Sequence, residues 1–153
     1  MTRKVLLDAN LLIAAFDTNG TTSEEMKVVA SEKLSALLSD PDAVIFITPL
    51  VRYEVLRGIN WQNQTAFQAM QATLNEFPEL EITRDISELS ANLFRLDKDI
   101  AIKLNEKRNV DKRRFDVFHF CSAHCNSLEL CSNDTDIAKI AGLHTAYQQA
   151  IAS

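Results

Sequence analysis

Four acids stand where apolar runs end or helices begin. Asp8 closes KVLLD, and Asp134 follows LELC within SNDTD, with Asp136 two residues further on. Glu54 lies in the segment that starts at Thr48–Pro49, and Asp116 follows the basic stretch KRRF. In an open parallel sheet the carboxyl ends of the strands form the ligand crevice. Asp8 and Asp134 fall at that edge directly, and helices starting there would deliver Glu54 and Asp116. Carboxylates gathered in a crevice repel one another and take up protons. A hard divalent cation, Mg²⁺ or Mn²⁺, removes that conflict, because it prefers oxygen ligands and keeps some of its waters. Such a centre activates water and neutralises charge on a phosphodiester. The chemistry indicated is metal-assisted phosphodiester hydrolysis. Singly, each acid has a plainer role: Asp8, Asp116 and Asp134 as helix caps or loop acids, and Glu54 as a solvated helix residue. Their shared placement is what favours a site.

The elements that must position these acids alternate in type. Residues 4–8 and 43–47 are short apolar runs that read as buried strands. Between them a short helix is expected over 10–16. A longer one follows Thr21–Thr22–Ser23, with Glu24 and Glu25 in its first turn and Met26, Ala30, Leu34 and Leu37 at helical spacing. Asp40–Pro41–Asp42 marks a turn. Thr48 as N-cap and Pro49 as the first helical residue start a helix that ends at Gly58. Further helices are predicted over 61–77, 85–107 and 116–126, with strands over 80–83 and 128–131. A short helix over 136–141 ends at Gly142, and 143–147 reads as a last strand. The pattern predicts an α/β fold with a mostly parallel sheet of four or five strands flanked by helices.

The 153 residues suit a single domain over 1–153. With 46% hydrophobic and 24% charged residues the composition is that of a soluble globular protein, and 3 Gly and 3 Pro exclude collagenous and Pro/Gly-rich disordered classes. No apolar run reaches the roughly 20 residues of a membrane span. Asp8 and Asn10 interrupt the N-terminal apolar stretch, so no signal peptide is expected. Three cysteines without an export signal point to a reducing cytoplasm. The net charge of −5 argues against holding nucleic acid by overall charge. Local charge differs, because Lys107, Arg108, Lys112, Arg113 and Arg114 cluster just before Asp116.

The chain resembles the PIN-domain ribonucleases, in particular the small VapC-like toxins of toxin–antitoxin modules. VLLDANLLI is similar to the family's first motif, which maps to Asp8 and Asn10. TPLVRYEVLRG resembles the second, mapping to Thr48 and Glu54, with Val55 where Leu is usual. KRRFDVFHFCSAH resembles the third and maps to Asp116. LCSNDTDI resembles the fourth and maps to Asp134, with Ile137 in place of the usual aromatic residue. The resemblance implies a PIN-like three-layer fold and a four-acid site for one or two Mg²⁺ or Mn²⁺ ions. Asp8 and Asp116 would be the nearest ligands. Glu54 and Asp134 would act directly or through water, and Asp136 would be auxiliary. It further implies endonucleolytic cleavage of structured RNA such as tRNA or rRNA, a homodimer, and a cognate antitoxin that blocks the cleft. Asn10 and Thr48 would orient the site or contact the scissile phosphate, and Arg113 and Arg114 would contact the RNA backbone. The bulkier Phe118, His119 and Phe120 stand where the family shows small or aliphatic residues. His119 lies three residues after Asp116 on one helix face and reads as a packed or surface histidine.

Three rivals are weaker. A zinc centre would draw on Cys121, Cys125, Cys131, His119 and His124, but no Cys-x₂-Cys pair exists and free Cys is commonly a small core residue. A haloacid-dehalogenase-like phosphatase would need an acid where Asn10 stands. A non-catalytic PIN-like module that only binds RNA or protein would be expected to have lost at least one of the four acids.

Overall fold

Val5, Leu6 and Leu7 are fully buried, so strand β1 (Arg3–Leu7) is covered on both faces, as a continuous apolar run demands. This computed structural model describes residues 2–18, 20–132 and 137–152. β1 lies between β2 (Ala43–Phe46) and β3 (Glu129–Cys131), parallel to both. Val5 pairs with Ile45 on one side and Glu129 on the other. Parallel neighbours require crossovers. Helices α1 (Ala9–Phe16) and α2 (Glu24–Ser39) connect β1 to β2. Helices α3 (Pro49–Arg57), α4 (Gln64–Leu74), α5 (Arg84–Lys103) and α6 (Val110–Cys125) connect β2 to β3. Helix α7 (Ile137–Ala152) follows.

Side-chain caps fix where five of these helices begin. Ser23, Thr48, Asn63, Thr83 and Asn109 accept hydrogen bonds from the backbone N–H of Met26, Val51, Ala66, Ile86 and Lys112 respectively. Each such cap stabilises by about 1 kcal/mol. The apolar side chains fall into two clusters. Val5, Leu7, Leu12, Leu34, Ile45, Val51 and Leu74 unite β1, β2 and helices α1 to α4. Ile86, Leu93, Val117, Cys121, Ile140 and Leu143 unite α5, α6 and α7. The carboxyl end of β1 meets α1, α3 and α6 at the seam between the clusters.

Among the described residues the sheet has three strands rather than the predicted four or five. The stretch 80–83 makes only a bridge at its edge: Ile47 N–H donates to Pro78 O and Leu80 N–H to Ile47 O. Pro78 lacks a donor and Thr83 is committed to capping α5, which leaves too little chain for a strand. The stretch 143–147 is helical. Ile140, Leu143, His144 and Tyr147 recur at i, i+3, i+4 and i+7, and that period runs through Gly142 instead of ending there. Helix α6 starts at Val110, not at Asp116, because Asn109 supplies the cap. Asp116 therefore lies inside the helix and does not open it. The start of the helix expected at 136 lies outside the described residues.

Candidate active site

Asp8 occupies the N-cap position of α1 in extended conformation, yet its carboxylate makes no capping bond. It is 2% exposed, and Ser132 Oγ donates to its Oδ2 at 2.7 Å. Asn10 Oδ1 stands 2.9 Å from the same hydroxyl. A hydroxyl has one proton, and the charged Asp8 oxygen is the nearer acceptor. The strand ladder continues to this point, since Asp8 N–H donates to Cys131 O at 2.9 Å.

The Thr48 cap sets the start of α3, and Glu54 projects from that helix toward the same region. His119, from α6, hydrogen-bonds Glu54 Oε1 through Nε2 and lies 3.7 Å from Asp8 Oδ1. The ring is 1% exposed. Burial alone would lower the imidazole pKa. The hydrogen bond to Glu54 and the charges of Asp8, Glu54 and Asp116 outweigh it and hold His119 above its ordinary value. Asp8, Asn10, Glu54 and Asp116 line one cavity of about 360 Å³, with Arg57, Lys112 and Phe115 on its walls. Asp116, 7% exposed, also lines a neighbouring cavity of about 520 Å³ whose walls carry Lys107, Arg108, Lys112, Arg113 and Lys139. An acidic and a basic cavity thus share one wall.

The remaining candidates fall in different places. Thr48 is fully buried and its Oγ1 accepts from Val51 N–H at 3.2 Å, so it caps and orients α3. Arg113 is turned into the fold. Its Nε lies 3.4 Å from Asp97 Oδ2, while Arg108 Nε donates to Asp97 Oδ1 at 3.2 Å. Arg114 is exposed, ion-paired to Asp111 and 5.9 Å above the Phe115 ring. Asp134 and Asp136 lie outside the described residues.

The sequence profile of the PIN domain family matches residues 5–143. The chain belongs to the PIN domain family. Among solved structures it is similar to VapBC2 from Rickettsia felis bound to a promoter DNA fragment. The identity is 14% and the TM-score 0.59, over 90% of this chain and 92% of that one. It is also similar to DNA-bound VapBC from Salmonella typhimurium, at 11% identity and a TM-score of 0.50, over 88% of this chain and 100% of that one. These likenesses are of fold. None of the curated proteins matches the chain.

In this PIN domain Asp8, Glu54 and Asp116, from three elements, meet in one cavity that Asp111 also lines, a donor set suited to a hard cation. Among the described residues no three carboxylate, imidazole or thiol groups close into a ready-made cage. The cysteines do not form a soft site: Cys121 is buried and its thiol pushed up to about 11 by that burial, while Cys125 is exposed. Ser132 and His119 both touch the acids, and neither stood among the expected site residues. Ser132 carried a signal, as the Ser of the fourth motif. His119 carried only its position three residues after Asp116.

Proposed function

We propose that this PIN domain is a metal-dependent endoribonuclease that hydrolyses phosphodiester bonds of structured RNA such as tRNA or rRNA. The observation that carries the proposal is the convergence of Asp8, Glu54 and Asp116 on one cavity whose Asp116 wall also faces a basic one. Asp8 and Asp116 are assigned as ligands of Mg²⁺ or Mn²⁺, Glu54 as a ligand directly or through water, and Asp134 and Asp136 as the acids that complete the set. When bound, the cation supplies a water activated for attack and neutralises charge on the phosphodiester. The chain's own groups do the rest. Ser132 holds Asp8 through one oxygen, leaving the other for the cation. Asn10 lines the wall beside it. The basic cavity beyond Asp116 receives a neighbouring phosphate through Lys107 and Lys112, which contributes affinity but no sequence choice.

The VapBC neighbours support a further assignment: the chain is the toxin of a toxin–antitoxin pair, active in the cytoplasm as a homodimer and held inactive by its antitoxin. Among the described residues no helix is long and apolar enough to cross a membrane. The test is induced expression without a partner, followed by sequencing of new RNA 5′ ends. Growth arrest with discrete cuts, both abolished by Asp8→Asn in a folded protein, is expected. An equally toxic Asp8→Asn protein refutes the assignment. Purified protein that binds RNA but never cuts it with Mn²⁺ or Mg²⁺ would establish a binding module instead.

A further inference from the structure

The four-acid scheme leaves one buried group beside the acids unused. His119 is 1% exposed and carried on α6, one helical step from Asp116. Its Nε2 is bonded to Glu54 Oε1 and lies 3.7 Å from Asp8 Oδ1. Its Nδ1 has no hydrogen-bond partner among the described residues. We propose that His119 is the positioning residue of the metal centre, its Nε2–H donating to Glu54 and fixing that carboxylate beside Asp8 and Asp116. The proposal rests on the metal-site assignment above and names what holds it together.

Three features separate this role from the alternatives. A histidine that ligates a metal almost always donates its other ring N–H to an orienting acceptor. His119 has no such partner at Nδ1, and its Nε2 is committed to a carboxylate. It is therefore built as a donor to an acid. A histidine that merely fills a core has no need to place its only satisfied nitrogen between two carboxylates from two other elements. Finally, the bond engages one Glu54 oxygen and leaves the other for a cation or its water. The contact needs only an Nε2–H, which both neutral and protonated imidazole supply.

Glutamate is a flexible side chain, and α3 carries Glu54 from the opposite side of the seam to α6. Without a donor at this point Glu54 samples other rotamers, and the cation loses a preorganised partner. Groups that orient metal ligands typically change affinity 10–100-fold when removed.

The experiment uses atom position. Counted along the side chain, glutamine places its Nε2 at the depth of histidine Nε2, whereas asparagine ends at the depth of Nδ1. Mn²⁺ binding to the full chain, measured by electron paramagnetic resonance of free Mn²⁺ without RNA, should stay within about 3-fold of wild type in His119→Gln. It should weaken by about 10–100-fold in His119→Asn. RNA cleavage at saturating Mn²⁺ should recover in both more than at limiting Mn²⁺. Equal affinity in wild type and both variants would reduce His119 to packing and overturn the proposal. Equal loss in both would show that the ring itself is required, which overturns it too. Should His119→Asn not fold, the ¹⁵N imidazole spectrum of metal-free wild type decides. A protonated Nε2 that shifts in Glu54→Gln is expected, and an unprotonated Nε2 refutes. Wild type that binds no Mn²⁺ fells the metal site and this proposal together. Wild type that binds Mn²⁺ but cuts no RNA fells only the nuclease assignment.

Discussion

Metal binding should raise the melting temperature of this protein, and Asp116→Asn should remove most of that gain. Asp8 and Asp116 are 2% and 7% exposed and share a cavity with Glu54, whose side chain is 14% exposed. Three acids so poorly solvated repel one another when all are ionised, and His119, held above its ordinary pKa by that cluster, offsets part of the repulsion. A cation that binds the folded chain stabilises it by RT ln(1 + [L]/Kd), about 2.7 kcal/mol at a hundredfold excess over Kd. For a chain of this size 1 kcal/mol moves the midpoint by roughly 2–4 °C. Saturating Mn²⁺ should therefore raise it by about 5–11 °C over protein in chelator. Asp116→Asn keeps the side chain's size, removes a ligand charge and should leave under about 2 °C of that shift. Asp99→Asn, on an exposed acid paired with Lys103, is the control for nonspecific cation effects and should keep the full shift. The assay is circular-dichroism melting across a Mn²⁺ titration. An Asp116→Asn protein with the wild-type shift would remove Asp116 from the metal site, and no shift in wild type would remove the site.

Asp97 should prove structural. It is buried and faces both Arg108 and Arg113, so Asp97→Asn takes the charged partner from Arg113 and one of two from Arg108, which also pairs with Glu106, and should cost about 2–3 kcal/mol in urea unfolding, below the fully buried range because both arginines keep some solvent. The two neighbouring arginines should separate. Arg113→Gln should lower stability, whereas Arg114→Gln should leave it nearly unchanged while weakening RNA binding and reducing its salt slope by about one. His144 supplies a pH dependence. Burial and the nearby His124 hold its pKa below the ordinary histidine value, so the unfolded chain takes up the proton first. Its contribution is present above about pH 6.5 and lost as pH falls below that. His119, with a raised pKa, acts in the opposite direction: its contribution is full at low pH and lost as pH rises through the folded value. In melting curves of metal-free protein, His144→Gln should therefore fall less on acidification than wild type, and a parallel fall in both would refute the assignment.

Caps and uninterrupted apolar runs were legible in the sequence, because both are local. Val5–Leu7 reads as buried on both faces, and Thr48–Pro49 marks the start of α3 to the residue. Errors arose where a local signal competed with a longer period. Gly142 reads as a helix end, yet it sits in a conformation that any residue adopts, and the apolar stripe on either side carries α7 through it. Asp116 reads as a cap after two arginines, yet Asn109 is as good a cap and stands earlier, so the helix starts there and draws half of the basic stretch into its first turns.

The basic stretch shows why charge alone does not name a ligand contact. Five cations before Asp116 look alike in sequence. In the fold Arg108 and Arg113 turn inward, since α5 places the buried Asp97 beneath them, and only such a partner makes an arginine's burial tolerable. Lys107 and Lys112 line the same cavity beside Asp116 as these two paired arginines. Asp97 sits 19 residues before Asp116 on the inner side of an amphipathic helix, and nothing local announces it. The same holds for His119. Its partners Glu54 and Asp8 come from two other elements, so the bond exists only once α3, α6 and the end of β1 have met. Asp8, Glu54 and Asp116 were each proposed from local sequence signals, whereas the bond that joins Glu54 to α6 beside Asp8 is a tertiary contact. A chain that kept all four acids and lost the Nε2–H would still match every motif, and Mn²⁺ affinity is the measurement that would tell the two apart.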